Sequence, residues 1–180
     1  MQPKISFDVD MQSVRWTESD LRAVKKAIRQ SLAVPNPKLL RSFDLSAMGR
    51  LNLFASLTLT TDKKIQKINH EWRGKNKPTN VLSFPSGELE NVKNWPKKIP
   101  LPLGDIILAY EACMRESRNF GIAFQDYIMF LAVHGALHLL GHDHETDGDH
   151  QKMITAELRI LKQLKLANPY PLMQNAGSNA

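Results

Sequence analysis

Residues 5–9 alternate apolar and polar side chains, which predicts a β-strand with one buried face. Thr17-Glu18-Ser19-Asp20 then has the form of a capping box, and Leu21, Val24, Ile28 and Leu32 follow at helical spacing until Pro35 and Pro37 end the helix. Beyond a basic connector through Arg41 and Arg50, residues 53–59 read as a strand, Asp62 opens a helix to about Trp72, and residues 81–84 form a short strand stopped by Pro85. The stretch 85–102, rich in Pro, Lys and Asn, predicts a surface loop long enough to be functional, before an apolar strand at 105–108. Helices are expected at roughly 110–119, 124–140 and 149–164. The middle one is apolar almost all round, so it should lie at the centre of the fold and hold its few polar side chains rigidly. Residues 167–180, with Asn, Gly, Ser and prolines, are expected as a flexible C-terminal tail outside the fold. The order of elements predicts one α+β domain (α/β-like) over residues 1–166, a mixed β-sheet packed with helices.

That central helix carries the densest chemistry in the chain. From its second half the sequence reads His134-Gly135-Ala136-Leu137-His138-Leu139-Leu140-Gly141-His142-Asp143-His144. His134 and His138, one helical turn apart, project from one face, close enough to grip one metal ion. Gly141 can take the left-handed conformation that ends a helix, turning the chain back so that His144 supplies a third imidazole. Three histidines suit zinc and leave a fourth tetrahedral position for water, the plan of a catalytic rather than a closed structural site. The spacing equals that of the metzincin proteases, but Gly135 stands where those enzymes carry their glutamate base. Loss of that carboxylate argues against peptide hydrolysis and leaves the metal cage intact. His142, in the turn, is expected to face solvent or to support a ligand rather than to be one. His150 is expected at the surface, and the isolated His70 as a core histidine satisfied by one hydrogen bond.

Composition frames this site. With 180 residues, 42% of them hydrophobic, the chain can build one well-buried core. Its longest apolar run, around 128–133, is far too short to cross a bilayer, and the first residues show no apolar signal core, so a soluble cytoplasmic protein with no membrane partner is expected. The single cysteine, Cys113, fits a reducing compartment and reads as a buried structural thiol without a catalytic role. A formal net charge of +6 leans toward an acidic partner. The positive charge gathers at Lys63, Lys64, Lys67, Arg73, Lys75 and Lys77, and again at Lys93, Lys97 and Lys98. Such a cluster attracts a phosphate backbone; Lys63, Lys64 and Lys67 alone read equally as a solvated helix face.

Two further segments bear chemistry. Arg73-Gly74-Lys75-Asn76-Lys77-Pro78-Thr79-Asn80-Val81-Leu82-Ser83-Phe84-Pro85 sets a basic turn directly before a buried strand, a layout that could present Arg73 to a phosphate while Thr79 and Asn80 fix the turn. Leu103-Gly104-Asp105-Ile106-Ile107 puts a carboxylate at the start of an apolar strand, where it either orients a ligand imidazole or ends the preceding loop with a hydrogen bond.

These segments and the histidine motif, in this order and spacing, resemble the YbeY family, the bacterial rRNA maturation factors. The likeness covers most of the chain between residues 51 and 150, and the histidine motif is its most specific part. It implies a single-strand-specific, metal-dependent endoribonuclease that holds one Zn2+ ion through the positions matching His134, His138 and His144. It further implies action in 16S rRNA 3′-end maturation and 70S ribosome quality control, with Arg73 at the family's functional arginine. The chain departs from the usual pattern at Asn76, where Asp is common, so no acid role is read there. Arg73 and His134 thus become the candidate catalytic residues, Arg73 because its fork can bridge two oxygens of a phosphoryl transition state. The proton acceptor stays open: Asp143 and Glu145 are possible helpers, and Asp143 reads as a turn residue as well. The implied partners are single-stranded RNA such as a 16S rRNA precursor, the small ribosomal subunit with one of its proteins, and an Era-type GTPase. Two other readings remain, a non-enzymatic ribosome-assembly factor with structural zinc and a zinc metallopeptidase with an unusual base.

Overall fold

A computed structural model of the chain describes residues 4–33, 52–96, 98–142 and 146–177. The alternating N-terminal segment forms β1 (Lys4–Met11), and the capping box opens α1 (Glu18–Ser31). Both halves of that box form: the Thr17 hydroxyl accepts from the Asp20 amide at 3.2 Å, and the Asp20 carboxylate accepts from the Thr17 amide at 3.0 Å. There follow β2 (Asn52–Thr60), α2 (Asp62–Arg73), β3 (Val81–Pro85), a 3₁₀ turn at Glu88–Asn94, β4 (Leu101–Ala109), α3 (Tyr110–Phe120), α4 (Phe124–Leu139), α5 (Asp147–Leu164) and α6 (Tyr170–Gly177). The connector with Arg41 and Arg50 lies outside the described residues.

The four strands lie in the order β1-β2-β4-β3, with β1, β2 and β4 parallel and β3 antiparallel to β4 on the edge. Crossover helices are what parallel neighbours require, whereas the short β3 pairs back on β4 without one. The fold is the single α+β domain with a mixed sheet that the sequence predicts. Side-chain alternation sends Leu53, Ala55, Leu57 and Leu59 of β2, with Ile106 and Leu108 of β4, into the main core beneath α1, α4 and α5. Leu82, Ile107 and Ala109 point the other way, onto Ile65 and Ile68 of α2 and Ala112 of α3. The start of α2 is tied to that of α3 by reciprocal contacts, the Asp62 carboxylate accepting from the Ala112 amide and the Glu111 carboxylate from the Asp62 amide, each at 2.9 Å.

The apolar helix α4 is central, as expected, and packs on α1, β3, β4, α3 and α5. Its direction follows from two contacts. The Tyr127 hydroxyl lies 3.4 Å from the Asn80 amide nitrogen, at the start of β3. Two turns on, Gly135 sits over Ile106, the register partner of Ser83. The helix therefore runs along β3 toward Pro85, carrying His134 and His138 to that end of the edge strand. None of the described helices is alone long and apolar enough to cross a membrane.

Three segments differ from expectation. β4 begins at Leu101 instead of residue 105, because Gly104 supplies a backbone no other residue accepts easily: its φ is +127°, and a Cβ there would stand 2.0 Å from the Phe84 carbonyl. A register shift between Phe54 and Ala55 accompanies it. The stretch 85–102 contains the 3₁₀ turn and tucks Val92 into the core. The C-terminal segment forms α6, whose Tyr170 ring packs edge-on to Phe130 at 5.9 Å. There the apolar Tyr170 and Met173, one helical turn apart, outweigh the Asn and Gly around them. His70 is exposed rather than a core histidine, because α2 turns Ile65 and Asn69 inward.

The contrast between two glycines tests this packing. Gly104→Ala should cost at least ~3 kcal/mol, since backbone strain adds to a collision with a carbonyl. Gly74→Ala, at φ +68° with nothing within 4 Å of the added carbon, should cost only about 1 kcal/mol. Equal melting temperatures for the two variants in thermal denaturation would contradict the Gly104 contact.

Candidate metal centre

His134 and His138 meet as their helical spacing predicts. Their Nε2 atoms are 3.2 Å apart, and the rings stand nearly perpendicular at 78°. Two nitrogens bound to one zinc at ~2.0–2.1 Å, at the tetrahedral angle, lie about 3.3 Å apart, so the pair already has the spacing of two ligands of one ion. His144, the expected third ligand, lies outside the described residues, as do Asp143 and Glu145. Among the described residues no group of three or more His, Cys, Asp or Glu side chains is placed to hold a metal.

What surrounds the outer nitrogens decides what the inner ones can do. The Nδ1 of His138 lies 3.1 Å from the backbone carbonyl of His142. A carbonyl only accepts, so this contact requires the proton on Nδ1 and leaves Nε2 with its lone pair. The Nδ1 of His134 lies 2.8 Å from Oε1 of Glu157, and the carboxylate again draws the proton outward. In the neutral state two Nε2 lone pairs thus face each other, an arrangement that repels unless a cation stands between them. The His142 carbonyl holds the His138 ring, and the His142 side chain is buried rather than facing solvent. His150 is at the surface, as expected.

Glu157 and Tyr170 escape a reading based on motifs. Glu157 sits on α5 among Met153, Ala156, Ile160 and Leu161, all turned into the core, and is only 1% exposed. A charge so deeply buried is strongly unfavourable unless its oxygens are paired. Oε1 takes His134, and Oε2 accepts a hydrogen bond from the hydroxyl of Tyr170 on α6. Burial, and then the carboxylate beside it, push the Tyr170 hydroxyl above its ordinary pKa, so it remains a donor. An acid in the apolar stripe of an amphipathic helix is the signal that could have found Glu157; Tyr170 has no comparable signal.

The remaining candidates fall elsewhere. Gly135 faces Ile106, whose side-chain carbons would be 3.5–3.6 Å from a Cβ at that position. A side chain there would point at the apolar Ile106, and with glycine at this position the protease base is absent. Asp105 is exposed on the opposite sheet face from Ile106 and does not orient an imidazole; Glu157 does. Arg73 is exposed at the end of α2, the helix on the far side of the sheet from α4, and among the described residues no hydrogen bond joins it to either imidazole. Gly74, at φ 68°, ends α2 and lets the Lys75 amide donate to the Asn69 carbonyl at 3.2 Å. Asn76 accepts from Gln66 at 3.0 Å, a loop contact with no acid chemistry. Asn80 fixes the turn as expected: it accepts from the Val81 amide at 2.6 Å and donates to Glu116 at 2.7 Å. Cys113 is buried, and that burial drives its thiol pKa far up, in keeping with a structural role.

A sequence model of the family described as Endoribonuclease YbeY matches residues 17–165. Among curated relatives, Endoribonuclease YbeY of Bartonella bacilliformis is 35% identical over 92% of this chain and 97% of its own length. The protein of that name from Rhizobium etli strain CIAT 652 is 38% identical over 93% of this chain and 94% of its own. That from strain CFN 42 is 49% identical over a shorter stretch, 64% of this chain and 65% of its own length. The match takes in the imidazole pair, the turn after Arg73 and the buried Glu157 alike, and the chain belongs to the YbeY family.

Proposed function

We propose that this chain is a zinc-dependent endoribonuclease that cuts single-stranded RNA in the cytoplasm. The observation that carries the reading is the imidazole pair, with both outer nitrogens held by acceptors and both inner ones turned toward a common point. Membership of a family whose curated members are named endoribonucleases supports RNA as the substrate. The finer assignment, 16S rRNA 3′-end maturation and 70S ribosome quality control, with the small ribosomal subunit, one of its proteins and an Era-type GTPase as partners, rests on the likeness of the motifs.

One zinc ion would be held by Nε2 of His134 and of His138, with His144 as third ligand. Bound there, it would supply a Lewis acid for a phosphoryl oxygen and for water. The protein's own part is defined by proton positions. Glu157 keeps the His134 proton on Nδ1, and the His142 carbonyl keeps that of His138 on Nδ1, so neither imidazole turns a proton toward the substrate. Gly135 brings no carboxylate to the site, which disfavours peptide hydrolysis. Arg73, exposed beside Lys75 and Lys77, would hold an RNA phosphate with its bidentate fork. A flexible single strand can reach both the recessed histidines and this basic turn around the β3 edge, whereas a rigid duplex cannot bend so sharply.

Purified protein should cut a labelled single-stranded RNA, lose the activity on chelation and regain it with zinc. His138→Ala should lower the rate at least ~100-fold, and Arg73→Ala should raise the RNA concentration needed for half-maximal rate. Cutting that persists undiminished in His138→Ala would overturn the reading in favour of a ribosome-assembly factor. Glu157→Gln should weaken zinc binding about tenfold or more, measured by competition with a chromophoric chelator. Unchanged zinc affinity would show that the carboxylate does not position His134.

A further inference from the structure

The end of α2 carries a feature that the histidine site does not use. Trp72 is 70% exposed, and its indole lies 5.9 Å from the ring of Phe84 at an interplanar angle of 56°. Ile65, Ile68 and Asn69 lead up to it along the buried stripe of the helix. At Trp72 the stripe has passed the rim of the sheet, because β3 is an edge strand and, among the described residues, no further strand lies beyond it. The indole therefore rests on Phe84 and leaves most of its surface in water. Leaving so large an apolar ring uncovered is unfavourable.

Charge around the ring narrows what could cover it. Residues 62–77 hold six cations, Lys63, Lys64, Lys67, Arg73, Lys75 and Lys77, every one of them exposed, against two carboxylates. One of those two, Asp62, is engaged with Arg115 at 2.6 Å. A fixed, exposed aromatic ring among lysines and arginines matches a ligand that offers anionic phosphates together with free flat rings. A duplex keeps its bases stacked inside, whereas a single strand presents both groups. Position agrees with this. Phe84 lies next to Pro85, at the end of β3 toward which α4 carries His138, with Trp72 on one face of the sheet and the imidazoles on the other.

We propose that Trp72 is a base-stacking subsite for single-stranded RNA, braced by Phe84, with Arg73 and Lys75 on the neighbouring phosphates. It would hold a nucleotide on the far side of the β3 edge from the bond that is cut. The inference rests on single-stranded RNA being the substrate, and the test separates the two claims. A fluorescent 2′-O-methyl oligoadenylate, verified to remain uncut, is titrated with the full zinc-loaded chain and followed by anisotropy. A second oligomer of equal length and charge carries abasic sites throughout.

Trp72→Ala and Trp72→Leu should each weaken oligoadenylate binding about tenfold and leave binding of the abasic oligomer as in wild type. Trp72→Phe, which retains a ring, should keep most of the affinity, and all three variants should melt near the wild-type temperature. Equal losses on both oligomers, or no loss on oligoadenylate in either ring-less variant, would overturn the stacking site. The second of these results would assign the patch to a protein partner. Wild-type protein that binds neither oligomer at low salt would instead overturn the choice of single-stranded RNA as substrate.

Discussion

A carboxylate at 1% exposure has to be compensated, and the way Glu157 is compensated organises the rest of the site. One oxygen fixes the His134 proton on the outer nitrogen; the other takes the Tyr170 hydroxyl. The three successive C-terminal helices α4, α5 and α6 are thereby joined at a single buried charge. The His142 carbonyl holds the His138 ring in the same way, and the two inner nitrogens come to face each other at 3.2 Å. Such preorganisation would lower the entropic cost of assembling the proposed ligand set, because ring orientation and tautomer are already settled.

The same burial separates this site from the peptidase arrangement with which it shares its histidine spacing. Gly135 lies against Ile106 where α4 packs on β4, and a side chain there would point at that apolar contact. The helix that carries both imidazoles therefore offers no proton acceptor directly after the first of them.

How much of this was legible in the sequence varies with the range of the interaction that decides each element. The capping box at Thr17, the left-handed Gly141 at the end of α4 (φ 81°) and the one-turn spacing of His134 and His138 are local, and each appears where its pattern predicts. The buried character of α4 was equally plain, since no face of it is polar. The early start of β4 depends on Gly104 passing beneath the Phe84 carbonyl, a contact between strands that no local pattern encodes. The segment after residue 166 reads as a tail by its Asn, Gly and Ser, and only its packing of Tyr170 against Phe130 and Glu157 makes it a helix. Of the two readings open for Asp105, strand alternation rules out the one that orients an imidazole, because it turns the side chain away from the histidines, while Glu157, in no motif, reaches His134. Arg73 reads in the sequence as a candidate phosphate-binding group, but no local pattern tells that α2 places it across the sheet from α4.

The central claim is that the imidazole pair is two-thirds of an open, histidine-only zinc centre. Zinc-edge X-ray absorption on the loaded protein tests it most directly. The account predicts one zinc per chain with three imidazole nitrogens and one light-atom ligand at ~2.0–2.1 Å, and loss of one imidazole contribution in His138→Ala. A closed site of four protein ligands, a sulfur shell, or a spectrum unchanged in that variant would contradict it.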